Sequence, residues 1–209
     1  FNVVSLYPNG NPTLSDVNQR WVGDCCACAV FASMAYLYPR FIKHIIKDNK
    51  DKTYTVTMYD PTGKQIPVGV SGDYFIGNSG DLGALGGRNK EVTWATILEK
   101  AMMKWRQVYL GSSNVGGIGT EYVSAIFTGD GESVGFGAGA LIAEDLQRAV
   151  EVSLKQGRLV IGGFTRSGEQ VDENWQTTSG HAFTFILPDD DSHPVSYTHL
   201  RAHETKANL

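Results

Sequence analysis

The sequence lacks what several protein classes require. It holds only three cysteines, all between Cys25 and Cys28, so it cannot build the spread disulfide framework of a small secreted domain. Those three fall short of the four ligands of a closed tetrahedral zinc site, and no Cys or His follows at finger-like spacing. No stretch approaches the ~18 to 20 apolar residues that span a bilayer. Phe1 to Pro8 lack the basic start and apolar run of a signal peptide. Excess positive charge is missing too. The 18 basic side chains face 22 acidic ones, for a net charge of −4, which leaves no long-range field favouring nucleic acid or an anionic membrane.

What is present suits an ordinary folded chain. With 209 residues, 42% of them hydrophobic, it can bury a sizeable core as one large domain or two small lobes. It begins at Phe1 without Met, so an upstream segment and flanking domains are expected. The compartment is left open between intracellular and exported.

The lead-in, Phe1 to Arg20, is polar and punctuated by Pro8-Asn9-Gly10-Asn11-Pro12, which reads as a loop. Asp24 stands where an N-cap would, and Cys25 to Tyr38 is apolar almost all round, which predicts a helix buried on every side and ended by Pro39. Thr53 to Tyr59 alternates with period two, and Asp60-Pro61-Thr62-Gly63 turns it into a second run, Gln65 to Val70, predicting a hairpin. Gly72 to Asn89 is glycine-rich and aperiodic. Nothing in its spacing sits between a strand and a helix as a phosphate loop requires.

Thr93 to Leu110 places Trp94, Ile97, Leu98, Ala101, Trp105 and Val108 at helical intervals. A glycine cluster from Gly129 to Gly139 is the best candidate boundary between lobes. Ala143 to Lys155 predicts a helix with Leu146, Ala149, Val150 and Leu154 inward, stopped at Gly157. Arg158 to Phe164 and His181 to Leu187 follow as β-rich runs. The expectation is an α+β chain with a helical lobe over residues 1–130 and a β-rich lobe over 131–193.

A catalytic thiol must be ionised near neutral pH, and the first turn of a helix supplies unpaired N–H groups and a dipole that stabilise a thiolate. Cys25 sits at such a position; Cys26 and Cys28 fall farther along the apolar helix, where thiols are usually small buried hydrophobes. The bland alternative for Cys25 is one more buried helix thiol. Three features weigh against it. Gly23 leaves room for a substrate backbone, Gln19 offers an amide N–H to a developing oxyanion, and His181 lies 156 residues downstream, near the ~130 to 150 interval of papain-like enzymes. His44, among Lys43 and Lys47, reads as an exposed residue.

At this point the sequence resembles the calpain protease core. Asp16-Val17-Asn18-Gln19-Arg20-Trp21-Val22-Gly23-Asp24-Cys25 is similar to that family's Asp-x-x-Gln-x-x-x-Gly-Asp-Cys signature. Trp94-Ala95-Thr96-Ile97-Leu98-Glu99-Lys100-Ala101 resembles its Trp-x-x-Leu-Leu-Glu-Lys-Ala helix, and Gly116-Gly117 through Phe127-Thr128-Gly129 its Gly-Gly to Phe-Thr-Gly segment. Ser179-Gly180-His181-Ala182-Phe183 resembles the block that carries its histidine. The resemblance implies a papain-like two-lobe fold, cleavage of protein or peptide substrates by a thiol endopeptidase, Cys25 and His181 as the catalytic pair, and Gln19 in the oxyanion hole.

No cofactor is required for that chemistry. Calcium is possible on the resemblance: Asp16 matches a calcium-ligand position of the family and Glu99 is a candidate for another. Two carboxylates fall short of the 6 to 8 oxygens that calcium takes, and the same residues also read as a loop cap and a solvated helix residue.

Two departures from the family stand out. Cys26 replaces the usual aromatic residue after the nucleophile. The third catalytic member, an Asn in an Asn-Pro-Trp-Gly block, has no counterpart, because Asn208 is the only Asn after His181 and neither Pro nor Trp follows it. From about Pro194 the sequence resembles translated sequencing-adaptor DNA, so residues 194–209 are read as a non-native tail, including His199 and His203, and the natural C-terminal end is expected to be missing. Two rival functions remain: a thiol acyltransferase of transglutaminase type, and a papain-fold binding module without activity.

Overall fold

The structure is a computed structural model that describes residues 5–74, 76, 80, 82–164, 168, 170–172, 175–176, 179–187, 195–197 and 207–208. The architecture is mixed α+β. Helix α1, Cys25–Leu37, lies at its centre, with every residue from Ala27 to Ala35 buried. Alanine and small side chains dominate it, which lets neighbours approach from all sides. Pro39 ends α1 as expected, but it also opens a second helix, α2, Pro39–Ile45, because proline's fixed φ and missing N–H suit the first turn of a helix. The two helices meet at a bend of 112°. Among the described residues no single helix is long and apolar enough to cross a membrane.

The first half is not helical alone. Strand β1, Ile46–Asp48, pairs antiparallel with β2, Thr53–Tyr59, and β2 with β3, Gln65–Ser71. Period-two patterning is realised in β2, where Tyr54, Val56 and Met58 are buried and the alternate residues are not. Helix α3, Trp94–Leu110, is capped by the Thr93 hydroxyl, which accepts from Ala95 N. Its stripe is buried through Trp105, while Val108 is exposed where the helix outruns the core.

Helix α4, Thr120–Thr128, stands just before the Gly129 to Gly139 cluster, where the sequence pattern predicted no helix. It buries Val123, Ile126 and Phe127, and ends on Gly129 at φ 76, a left-handed cap that glycine adopts freely. Phe31 of α1 meets Trp94 and Phe127 edge to face, with centroids at 6.4 and 5.3 Å, and so joins α1, α3 and α4.

After Gly129 the chain runs irregularly to helix α5, Ala143–Lys155. Strand β4, Ile161–Phe164, pairs antiparallel with β7, His181–Ile186, and β5, Gln170–Asp172, pairs with β6, Trp175–Gln176. A second apolar cluster forms here from Val150 and Leu154 of α5 and Phe183 and Phe185 of β7, with Tyr36 of α1 packed against it. Of the tail set aside in the sequence, strand β8, Val195–Tyr197, pairs with β7, and β9, Ala207–Asn208, with β8; His193, His199 and His203 lie outside the described residues.

Candidate active site

Helix α1 packs closely on β7, and their contact sets the site. Cys25 is the first residue of α1 and His181 the first of β7, so the helix start and the strand start meet. The turn before β7 needs Gly180 in the left-handed region, at φ 67, where glycine carries no steric cost. That turn brings the Gly180 carbonyl to 3.7 Å from Cys25 Sγ. The Ala182 amide and the His181 ring lie against the same sulfur.

The thiol is held far down its scale, to about 4. The Cys26 side chain, donating to the Cys25 sulfur, is the largest cause, and the His181 ring follows through a hydrogen bond and its charge; partial burial opposes both. Cys26 itself is pushed strongly upward, since its proton serves its neighbour. Cys26 is thus no buried filler: it is half-buried, and it is the largest influence holding the Cys25 thiol down. Cys28 does follow the expectation, fully buried with its thiol pushed up.

His181 is 6% exposed, and its Nε2 has no hydrogen-bond partner among the described residues. That leaves Nδ1 as the ring nitrogen available to the sulfur. Gln19 lies on the segment leading into α1, and the glycine-rich loop pins that segment. Asn18 and Gly86 exchange backbone hydrogen bonds at 3.0 and 3.3 Å, Trp21 N donates to Gly83 O at 3.3 Å, and Arg20 Nη2 to Gly87 O at 2.9 Å. The glycines permit this close approach, because a Cβ on Gly83 would stand 2.9 Å from the Trp21 ring. Gln19 Nε2 donates to Val22 O at 2.9 Å, while its Oε1 is buried without a partner. A Cβ added at Gly23 would meet nothing within 4 Å.

Asp24 occupies the N-cap of α1, yet its side chain caps nothing. It turns inward onto Glu99 of α3. Glu99, read in the sequence as solvated, is 2% exposed. The signal was present in the helix period, since Ala95, Glu99 and Met102 share the buried face of α3. Asp16 is engaged separately: its Oδ2 accepts from Thr13 N and Trp94 Nε1, each at 2.8 Å. Both carboxylates named for calcium are therefore held by protein donors in different networks, an arrangement that does not fit a shared cation. His44 is exposed on α2.

No protein-family model matches this chain, and no curated protein matches it.

Proposed function

We propose that this chain is the core of a calpain-type cysteine endopeptidase with a papain-like two-lobe fold, in which Cys25 is the nucleophile, His181 its acid and base, and Gln19 an oxyanion donor. One observation carries the reading: a thiol at the head of a buried helix, held down to about 4 by Cys26 and by the histidine that opens a strand from the other end of the chain. The two apolar clusters, with α1 contributing to both, support the two-lobe arrangement.

The chemistry follows from the placement. The Cys25 thiolate attacks the carbonyl carbon of a peptide bond, and the electron pair of the C=O moves to oxygen. The Cys25 amide and the second N–H of Gln19 Nε2 are the donors for that oxyanion. As the tetrahedral species collapses, the C–N bond breaks and His181 gives its proton to the leaving amine, leaving a thioester on Cys25. Water, deprotonated by His181, then attacks the thioester, and the acid product leaves as the thiolate reforms.

A second reading is favoured by the unpartnered His181 Nε2 and by the Gln19 amide donating to Val22: a papain-fold module that binds peptides without cleaving them. Without a third group to fix the ring's tautomer and orientation, catalysis falls by orders of magnitude. The deciding experiment treats the chain with a peptidyl epoxide, maps the adduct by mass spectrometry and follows casein cleavage. An adduct on Cys25 with cleavage abolished in Cys25→Ser is expected. Binding of casein without adduct or cleavage establishes the module, amine incorporation without cleavage establishes a transferase, and cleavage unchanged in Cys25→Ser overturns the assignment.

A further inference from the structure

The segment leading to the nucleophile carries an aromatic ring that the fold seats but does not cover. Trp94 and Trp105 are buried, whereas Trp21, four residues before Cys25, is 54% exposed. A single exposed apolar residue is ordinary on a protein surface. Trp21 differs in how it is held.

Its backbone N donates to Gly83 O at 3.3 Å, and Gly83 is itself buried. A Cβ on Gly83 would stand 2.9, 3.3 and 3.5 Å from Cε3, Cζ3 and Cδ2 of the indole. These are one ring atom and its two bonded neighbours, and their similar distances place the glycine against the face of the ring rather than its edge. The missing side chain at Gly83 is thus what lets the ring lie on the backbone. Gln19 Nε2, donating to Val22 O at 2.9 Å, closes the bend that carries Trp21. A ring fixed in this way before a ligand arrives costs little conformational entropy to stack upon.

Four residues of chain reach at most about 14 Å, so the ring lies within a few residues of extended peptide from Cys25. Gly23, between the two, is exposed as well. The face of an indole attracts another flat ring or a cation. Arg20, whose guanidinium donates to Gly87 O at 2.9 Å on the same segment, disfavours the cation.

We propose that Trp21 is a specificity-determining residue whose ring, seated on Gly83, stacks with an aromatic side chain of the peptide substrate close to the scissile bond. The inference rests on the peptidase reading and adds to it a substrate class, peptides with an aromatic residue near the point of cleavage.

The test uses internally quenched peptides that differ only in carrying Phe or Ala, moved one position at a time across the scissile bond. At one position the unsubstituted chain should cleave the Phe peptide with a kcat/KM about tenfold higher, the difference lying mainly in KM. Trp21→Phe should keep that preference. Trp21→Leu, which leaves apolar bulk on Gly83 without a ring, should lose it, and so should Gly83→Ala, whose Cβ displaces the indole. Alkylation of Cys25 by iodoacetamide, which has no side chain to stack, reports separately on the thiol in each variant. If Trp21→Leu fails to fold, Gly83→Ala decides.

The same peptides, titrated by fluorescence anisotropy against Cys25→Ala with and without Trp21→Leu, separate the platform from the peptidase reading. A Phe preference in binding that vanishes with the ring, in a chain that cleaves nothing, would remove the peptidase reading and leave the platform standing. Cleavage with no Phe preference at any position, a preference that survives the loss of the ring, or binding that is absent or indifferent to Phe where cleavage is absent overturns the proposal.

Discussion

Replacing Cys26 and His181 together by alanine removes the two groups that hold the Cys25 thiol at about 4, and should return it to the free-thiol range near 8.5. At about pH 6 that change lowers the thiolate fraction from nearly complete to roughly 0.3%, a loss of about 300-fold. Nucleophilicity works in the opposite direction. A thiolate of low pKa is a weaker nucleophile, with a Brønsted slope of about 0.4–0.5, and a gap of this size costs the native sulfur roughly 100-fold.

The two effects nearly cancel at about pH 6, leaving only a threefold advantage, so a rate at one pH says little. The profiles should instead cross near about pH 6.5. At about pH 5 the native chain reacts roughly 30-fold faster, and at about pH 8 the double variant reacts roughly 25-fold faster. The assay is exchange with 2-hydroxyethyl disulfide, with peptide mapping to separate Cys25 from the raised thiols of Cys26 and Cys28. A native inflection near 8.5, or profiles that never cross, would refute the placement of both groups against the sulfur.

Three further outcomes test the fold that holds the site. Tyr36 Oη donates to Leu187 O and accepts from Leu187 N, both at 3.1 Å, so Tyr36→Phe should cost about 1–3 kcal/mol in urea unfolding by stranding one or both partners. Gly129→Ala adds a Cβ 2.9 Å from the Tyr59 ring at φ 76, and should destabilise by at least about 1 kcal/mol from the left-handed backbone alone; an unchanged midpoint would show that α4 ends elsewhere. Stability against pH combines two opposed signs. Burial raises the Asp24 and Glu99 carboxyls, so the stability they contribute is full below the ordinary carboxylate range and drains as pH rises through their raised values. Cys25 is the reverse, contributing fully above the free-thiol range and losing that contribution as pH falls through about 4. Cys25→Ser should therefore make stability fall more steeply between about pH 5 and 8, measured by urea midpoints.

Where one segment's own pattern decides, the sequence was a sufficient guide. The all-round apolar run of α1, the alternation of β2, the stripe of α3 and the period of α5 each state their element, because burial on one helix face or one strand face writes its period into the residues. Helix α4 was masked by the glycines on both sides, although Val123, Ile126 and Phe127 carry a helical spacing. In the N-terminal half the predicted hairpin formed as β2 and β3, and only β1, three residues long, was not read beside it.

That a thiol begins a buried helix, and that a histidine opens an apolar strand far downstream, can be read from the residues alone. What those side chains meet was set by the packing. It made Cys26 the largest influence on the Cys25 thiol, turned Asp24 from its cap onto Glu99, and left His181 Nε2 without a partner among the described residues. Local pattern fixes which way a backbone segment must face, whereas hydrogen-bond partners arise between segments that are neighbours only after the chain has packed.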